Sequence, residues 1–172
     1  AVCSHLGLGF EEVALGLESF EGVRRRQELV GETKGVTIID DFAHHPTAIR
    51  ETILSIRQQY PGRRLWAVFE PRSNTSRRNI FQREIAGALA GADAVIIAGV
   101  FNPQKIDPEK RFSPEKAVEE IRALGKEAHF IEDTGGILKH LIEHSRAGDV
   151  VLIMSNGPFG GLPSLLLKEL KK

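Results

Sequence analysis

The sequence predicts an α/β fold, a three-layer Rossmann-like domain built on a mostly parallel sheet of about six strands with an antiparallel first strand. Short apolar, often β-branched runs alternate with helical patterns along most of the chain, which is typical of parallel strands joined by right-handed helical crossovers. These runs are almost continuously apolar, which indicates a sheet buried on both faces. A chain of 172 residues with 41% hydrophobic residues can bury one such core.

The elements follow in order from periodicity and from their start and stop signals. A helix over 9–18 places apolar residues at helical spacing on one face. Segment 27–30 and the β-branched run 36–39 flank a glycine-containing turn at 31–35, which predicts an antiparallel hairpin. Later helices are predicted over 46–59, 77–90, 135–145 and 162–171, with one more that has Ser113 as N-cap and Pro114 as first residue. Later strands are predicted over 64–69, 94–98, 128–131 and 150–154, and 99–112 is predicted to be a mobile surface loop.

Composition excludes several classes of protein. Lys plus Arg and Asp plus Glu both number 23, so the basic excess of a nucleic-acid-binding domain is missing. The single cysteine, Cys3, cannot form an internal disulfide, which fits a reducing compartment. The sequence shows no apolar run of 18 residues and no leader pattern, so we expect no membrane partner and a cytoplasmic location. The sole methionine is Met154, and we therefore expect a processed or excised piece of a longer chain.

Ligands of open α/β sheets bind outside the carboxyl ends of the strands, and three predicted strand ends carry polar residues. The first is 40–47, Asp-Asp-Phe-Ala-His-His-Pro-Thr. Adjacent carboxylates on a strand point to opposite faces, so at most one of Asp40 and Asp41 faces a given ligand. His44 and His45 could bind a phosphate or lie beside a base. Alternatively, one aspartate caps the helix and the histidines are loop residues. Adjacent histidines seldom converge on one ion, so we predict no metal site in this loop or elsewhere in the chain.

The second strand end, 70–78, carries three arginines among small polar residues. Guanidinium groups and a helix N-terminus both favour an anion such as a carboxylate or a phosphate. The alternative is a solvated loop in which Thr75 or Ser76 caps the next helix.

The third strand end, 155–161, is Ser-Asn-Gly-Pro-Phe-Gly-Gly and follows the most apolar strand. Its glycines could let a ligand approach the backbone closely, or they could serve a structural turn. The chain contains no dinucleotide fingerprint and no G-x-x-x-x-G-K-[ST] loop. A nicotinamide-dependent dehydrogenase is therefore disfavoured, and the chain cannot hold nucleotide phosphates in the standard way alone.

Together the three loops, in this order, resemble those of the C-terminal domain of the Mur ligases. The resemblance covers nearly all of the chain, and the combination is more specific than any one loop. Within that family the sequence is most similar to the murein tripeptide ligases of peptidoglycan recycling. The UDP-N-acetylmuramate–L-alanine ligases share the first loop. They typically carry His-Arg-Tyr after the proline of the second loop and lack the third loop. These two differences favour the tripeptide ligases, and the L-alanine ligases remain the alternative.

The resemblance implies an ATP-dependent ligase that joins UDP-N-acetylmuramate to L-Ala-γ-D-Glu-meso-diaminopimelate through an acyl phosphate. Residues 1–22 would be the tail of a central ATPase domain and its linker, and 23–172 the peptide-binding C-terminal domain. Mg²⁺ would be held mainly by the central domain. The central domain and the UDP-binding N-terminal domain would both be partners of this chain. The isolated chain is then expected to fold but not to ligate. A non-catalytic peptide- or nucleotide-binding module is the alternative of another class.

The resemblance also implies roles for particular residues. Asp41, His44 and His45 would reach ATP, with Asp41 on a ribose hydroxyl. The substrate-binding residues would be Arg72, Asn74, Thr75, Arg77, Arg78, Ser155, Asn156 and Phe159. The arginines would face the carboxylates of the tripeptide or the transferred phosphate. No catalytic residue is assigned.

Overall fold

Six strands form one mixed sheet in the computed structural model of the chain, which describes residues 2–20 and 22–172. The strands are β1 (Glu28–Thr33), β2 (Val36–Asp41), β3 (Leu65–Phe69), β4 (Ala94–Ala98), β5 (Glu127–Ile131) and β6 (Val150–Met154). Their order is β1-β2-β6-β3-β4-β5, with β1 antiparallel to β2 and all other pairs parallel. The predicted fold class is therefore confirmed.

Helices cover both faces of this sheet and complete three layers. They are α1 (Val2–His5), α2 (Phe10–Glu18), α3 (Pro46–Gln59), α4 (Gln82–Leu89), α5 (Pro114–Ala123), α6 (Thr134–His144) and α7 (Leu162–Leu170). The apolar faces of α3, α4 and α5 pack in one buried cluster, and those of α6 and α7 pack in a second cluster across the sheet. Every residue of β3, β4 and β6 is buried, as the continuous apolar runs predict. Within the described residues, no helix has the length and apolarity needed to cross a membrane.

The hairpin at the sheet edge differs from its predicted form. The strand β1 runs on to Thr33, and the turn is Lys34-Gly35, with φ of 48° and 77°. Two consecutive positive φ values favour a two-residue hairpin turn. Gly31 therefore serves packing rather than the turn, because a Cβ there would lie 2.9 Å from the Leu167 side chain.

The helix predicted over 77–90 begins only at Gln82, after a 3-10 turn at Asn79–Phe81. Arg78 is extended, with φ −105° and ψ 153°, and pairs with Arg111 in an isolated antiparallel bridge. Stretch 99–112 is also more ordered than predicted, since it contains two 3-10 turns and buries Ile106 and Phe112. These long-range contacts cannot be seen in local sequence patterns.

The amino-terminal helices α1 and α2 bury none of their residues. Phe10, Leu17 and Phe20 are 87%, 70% and 62% exposed. The helical pattern predicted for 9–18 is confirmed, but its apolar face lies open in this chain.

Candidate ligand site at the carboxyl ends of the strands

Three neighbouring strands end at the same level of the sheet, and each is followed by one of the polar loops. Asp41 pairs in register with Met154, and Phe69 pairs with the same Met154 from the other side. Since β2, β6 and β3 are adjacent in the sheet, loops 40–47, 155–161 and 70–78 lie side by side. Segments far apart in the sequence thus form one surface where such sheets bind ligands.

Asp41 holds the first loop to the segment that precedes β1. Its carboxylate is buried and accepts hydrogen bonds from the Ala43 amide at 2.7 Å, the Gln27 amide at 2.8 Å and the Thr52 hydroxyl at 3.4 Å. A carboxylate offers about four acceptor positions, so three are occupied within the chain. Asp41 does not cap α3, because His45 occupies the N-cap position and accepts from the Thr47 amide at 3.4 Å.

The two histidines differ in their surroundings. His44 is half-buried, with Nδ1 at 2.9 Å from the Phe42 carbonyl and its ring edge-on to that phenyl ring. His45 is exposed and lies edge-on to Phe81, with ring centroids 5.0 Å apart. An open cleft of about 620 Å³ runs along this loop and α3, and its lining includes Asp41, His44 and Arg26. A cleft of this volume lies in the range of small-ligand sites.

Glu70 and Ser155 join the second loop to the third. The Ser155 hydroxyl is fully buried and donates to Glu70 Oε2 at 2.5 Å, and it accepts from the Gly157 amide at 2.9 Å. The Glu70 amide in turn donates to the Met154 carbonyl at 3.1 Å. Glu70 is the first residue of the second loop, but the sequence does not predict it as a site residue, because only the tertiary structure brings it against Ser155.

Arg72 lies directly across Gly157. A Cβ at Gly157 would come 1.9 Å from Arg72 Nε, so only glycine leaves room for this side chain. The guanidinium group sits 3.6 Å from the centroid of the Phe101 ring and 3.4 Å from Glu70 Oε1. A cation above an aromatic face is favourable, so Arg72 is held as part of the wall between the two loops.

Arg77 and Arg78 differ in how tightly they are held. Arg77 donates to Asn74 Oδ1 at 2.6 Å and to the Phe101 carbonyl at 3.3 Å. Arg78 is exposed and makes no ion pair within residues 2–20 and 22–172. Thr75 is half-buried, and its carbonyl accepts from the Arg78 amide at 3.1 Å. Neither Thr75 nor Ser76 caps α4, since Ser76 bonds reciprocally with Ser73.

The third loop presents one polar atom without a partner. Asn156 Oδ1 is buried and accepts no hydrogen bond from any described residue, although buried acceptors are nearly always paired. Phe159 is only 3% exposed and packs in the apolar cluster beneath α7. Phe159, Gly160 and Gly161 all have positive φ, of 43°, 59° and 73°, and a Cβ at Gly160 would lie 2.8 Å from Thr134.

Arg25, which sequence reasoning passed over, ties the linker to this surface. Its guanidinium group donates to the carbonyls of Ser155 and of Gly157, the latter at 2.6 Å, and lies 3.2 Å from Asp40. Burial raises the pKa of Asp40, although the Arg25 charge acts to lower it. The run Arg24-Arg25-Arg26 was the available sequence signal, but the sequence does not indicate which of the three turns inward.

The carboxylates of this surface are engaged within the chain. Asp40 pairs with Arg25, Asp41 accepts three hydrogen bonds, and Glu70 accepts from Ser155 and Arg72. Mg²⁺ prefers oxygen ligands that can complete an octahedron. These three carboxylates do not fit such an ion, whereas the exposed guanidinium groups of the surface fit an anion.

Comparison with known proteins finds one family along most of the chain. Residues 25–157 match the family described as Mur ligase, glutamate ligase domain. The UDP-N-acetylmuramate–L-alanyl-γ-D-glutamyl-meso-2,6-diaminoheptandioate ligase of Escherichia coli K12 is 39% identical over 100% of this chain and 36% of its own length. The UDP-N-acetylmuramate–L-alanine ligase of Lachnospira eligens is 37% identical over 98% of this chain and 36% of its own length. The chain thus spans about a third of these curated relatives.

One solved structure that matches most of the chain is a single domain. It is a domain from a putative UDP-N-acetylmuramate:L-alanyl-γ-D-glutamyl-meso-diaminopimelate ligase of Haemophilus ducreyi. It is 33% identical with a TM-score of 0.65, over 84% of this chain and 99% of that one. A domain of this kind has therefore been solved as a separate body.

Proposed function

Because this chain belongs to the Mur ligase family, we propose that it is the C-terminal domain of an ATP-dependent peptidoglycan-recycling ligase. The intact enzyme would join UDP-N-acetylmuramate to L-Ala-γ-D-Glu-meso-diaminopimelate. ATP would phosphorylate the lactyl carboxylate, and the peptide amine would then attack the acyl phosphate. The observation that carries this proposal is the convergence of loops 40–47, 70–78 and 155–161 at three adjacent strand ends.

The two ends of this surface suit different ligands. The cleft along α3 suits the nucleotide, with His44 in its lining and one acceptor position left on Asp41 for a ribose hydroxyl. The exposed His45 would reach the nucleotide from the start of α3, beside the cleft. The second and third loops suit the peptide. Among the residues that the structure describes, exposed Arg78 has no ion-pair partner and the buried Asn156 Oδ1 accepts no hydrogen bond. A tripeptide with several carboxylates and amide N–H groups supplies the matching partners.

Catalysis by this domain would consist of positioning and of neutralising charge. Arg77 is held in place by Asn74 and the Phe101 carbonyl, so its cationic group needs little reorganisation when an anion arrives. Mg²⁺ is assigned to the central domain, since the carboxylates of the ligand surface, Asp40, Asp41 and Glu70, are already engaged. The proposed reaction would therefore use no metal ion bound by this domain.

The domain boundary near residue 22 is part of the same proposal. Helices α1 and α2 leave their apolar side chains exposed, which would be buried if 1–22 belonged to a preceding ATPase domain. Arg25 then follows the junction and bonds to the third loop. Domain closure about this linker would carry the ligand surface onto ATP.

The tripeptide is favoured over L-alanine as the amine by the second and third loops together. By the resemblance, these two segments are the ones that set the tripeptide ligases apart from the L-alanine ligases. They also form one unit in space, since Glu70 bonds to Ser155 and Arg72 fills the space over Gly157. The L-alanine ligase remains the second candidate, because a relative of that name is 37% identical to the chain.

The test is ligation by the full-length protein to which this domain would belong. The protein is incubated with ATP, Mg²⁺, UDP-N-acetylmuramate and either tripeptide or L-alanine, and the product mass and released phosphate are measured. Product with tripeptide alone supports the proposal, and product with L-alanine alone replaces it with the second candidate. Phosphate release without either product would contradict both. The 172-residue chain by itself is expected to yield no product, and turnover by it would refute the proposed division of labour.

A further inference from the structure

A second cluster of polar side chains lies at the opposite end of the sheet from the ligand surface. Glu127 and His129 are two residues apart on the edge strand β5, so their side chains share one face. His140 of α6 packs against that face, with its ring centroid 4.5 Å from that of His129. One donor atom from each of these three residues lies within 4.8 Å of the others.

His140 has an unmet hydrogen-bonding capacity in this cluster. Its Nε2 is buried and has no partner among the described residues. The ring is held edge-on to Trp66 at 5.8 Å and stacked on His144 at 4.1 Å. A buried ring nitrogen without a partner is unfavourable unless something else binds it.

The remaining contacts orient the other donors. His129 Nε2 lies 3.1 Å from Glu127 Oε1, while Arg64 binds the second oxygen, Oε2, at 2.6 Å. Arg64 therefore fixes the carboxylate and leaves Oε1 directed at the histidines. His144 stacks on His140 and lies 2.9 Å from the His140 carbonyl through Nδ1, so it helps to position the His140 ring.

We propose that Glu127, His129 and His140 bind a divalent first-row transition cation, and that Zn²⁺ is the ion they fit best. Two imidazoles and one carboxylate are ligand types that Zn²⁺ accepts in tetrahedral sites, with water in the fourth position. Ca²⁺ and Mg²⁺ require more oxygen ligands than the cluster offers. Tetrahedral ligands of Zn²⁺ lie about 3.3 Å apart, so rotation of these side chains must draw the donors together.

The bound ion would stabilise the sheet edge rather than take part in ligation. It would join β5, which has a strand neighbour on one side only, to α6. The cluster is at the amino ends of the strands, whereas the loops of the ligand surface follow their carboxyl ends. The proposal therefore does not depend on the identity of the ligated peptide.

Binding is tested with ZnCl₂ alone, by calorimetric titration of the metal-free chain in a non-chelating buffer. We expect one ion per chain, with a dissociation constant of about 10 μM or tighter. A rise in Tm of at least about 3 °C is expected at saturation, because the ion binds the folded state. Co²⁺ in place of Zn²⁺ should give the visible absorption of a tetrahedral site.

Matched variants locate the site. His129→Gln and Glu127→Gln, both on the sheet edge, should each weaken binding at least about tenfold and abolish the Tm rise. The control is the double variant Cys3→Ser/His5→Gln, which removes two potential ligands at the amino terminus and should leave binding unchanged. No binding by the unaltered chain would overturn the proposal. Unchanged binding in His129→Gln, or loss only in the control, would overturn it as well.

Discussion

Gly157→Ala is expected to displace Arg72 without straining the backbone. The new Cβ would lie 1.9 Å from Arg72 Nε and 2.3 Å from its Cδ, so the flexible side chain must leave its place. It then loses the stack on Phe101 at 3.6 Å and the ion pair with Glu70 at 3.4 Å. The first contact is worth about 0.5–2 kcal/mol and the second about 0.2–1 kcal/mol. We expect the free energy of unfolding to fall by about 1–3 kcal/mol.

A double-mutant cycle separates this cause from a general disturbance of the loop. Arg72→Ala removes the same contacts, so Gly157→Ala should cost almost nothing further in that background. Urea unfolding is followed by the fluorescence of Trp66, the sole tryptophan and fully buried. The control is Gly87→Ala, since a Cβ there meets nothing within 4 Å in α4, and it should stabilise by about 0.5–1 kcal/mol. Additive losses in the Arg72→Ala/Gly157→Ala chain would refute the reasoning.

Two further predictions concern charge. Arg78→Ala in the full-length protein should raise the KM for tripeptide about 10-fold or more and change the stability of the domain by less than about 0.5 kcal/mol. A loss of stability with unchanged activity per folded molecule would show a structural role instead. Asp93→Asn should destabilise the chain by about 0.5–1 kcal/mol near pH 7, because Asp93 pairs with Arg57 at 2.8 Å. Burial acts to raise the pKa of Asp93, but the hydrogen bonds from Arg57 and the Leu65 amide outweigh it and the pKa is lowered. The stabilisation is therefore present above the unfolded pKa of about 3.9 and lost as pH falls through the folded value. The free energies of unfolding of the unaltered and Asp93→Asn chains, measured in urea, should become equal below the folded pKa. A difference that persists there would contradict the ion-pair explanation.

Local sequence patterns predicted the fold because the signals for helices and strands lie within the elements themselves. The runs at 94–98 and 150–154 are continuously apolar and lie on buried central strands. Ser113 caps α5 by accepting from the Lys116 amide, with Pro114 in the first position. Such signals depend on neighbours within one turn or one strand.

The errors fall where a distant segment decides the local conformation. The start of α4 is delayed because Arg78 pairs with Arg111, and Gly31 stays in β1 because Leu167 packs against it. The histidine cluster was missed for the same reason. His140 and His144 have the i, i+4 spacing of one helix face, and His129 and Glu127 the i, i+2 spacing of one strand face. Only the packing of α6 on β5 brings the two pairs together.

The sequence by itself determined the order of strands and helices, the loops that carry polar residues and the family they resemble. Those properties follow from residue types at short spacing, which one chain records directly. The tertiary structure decided which polar groups remain available. Asp41 is largely occupied within the fold and Arg72 is locked over Gly157. Arg78 stays exposed, and Asn156 Oδ1 has no partner in the described part of the chain. Hydrogen bonding and burial depend on partners up to 132 positions away, as for Arg25 and the Gly157 carbonyl, and no local pattern contains that information.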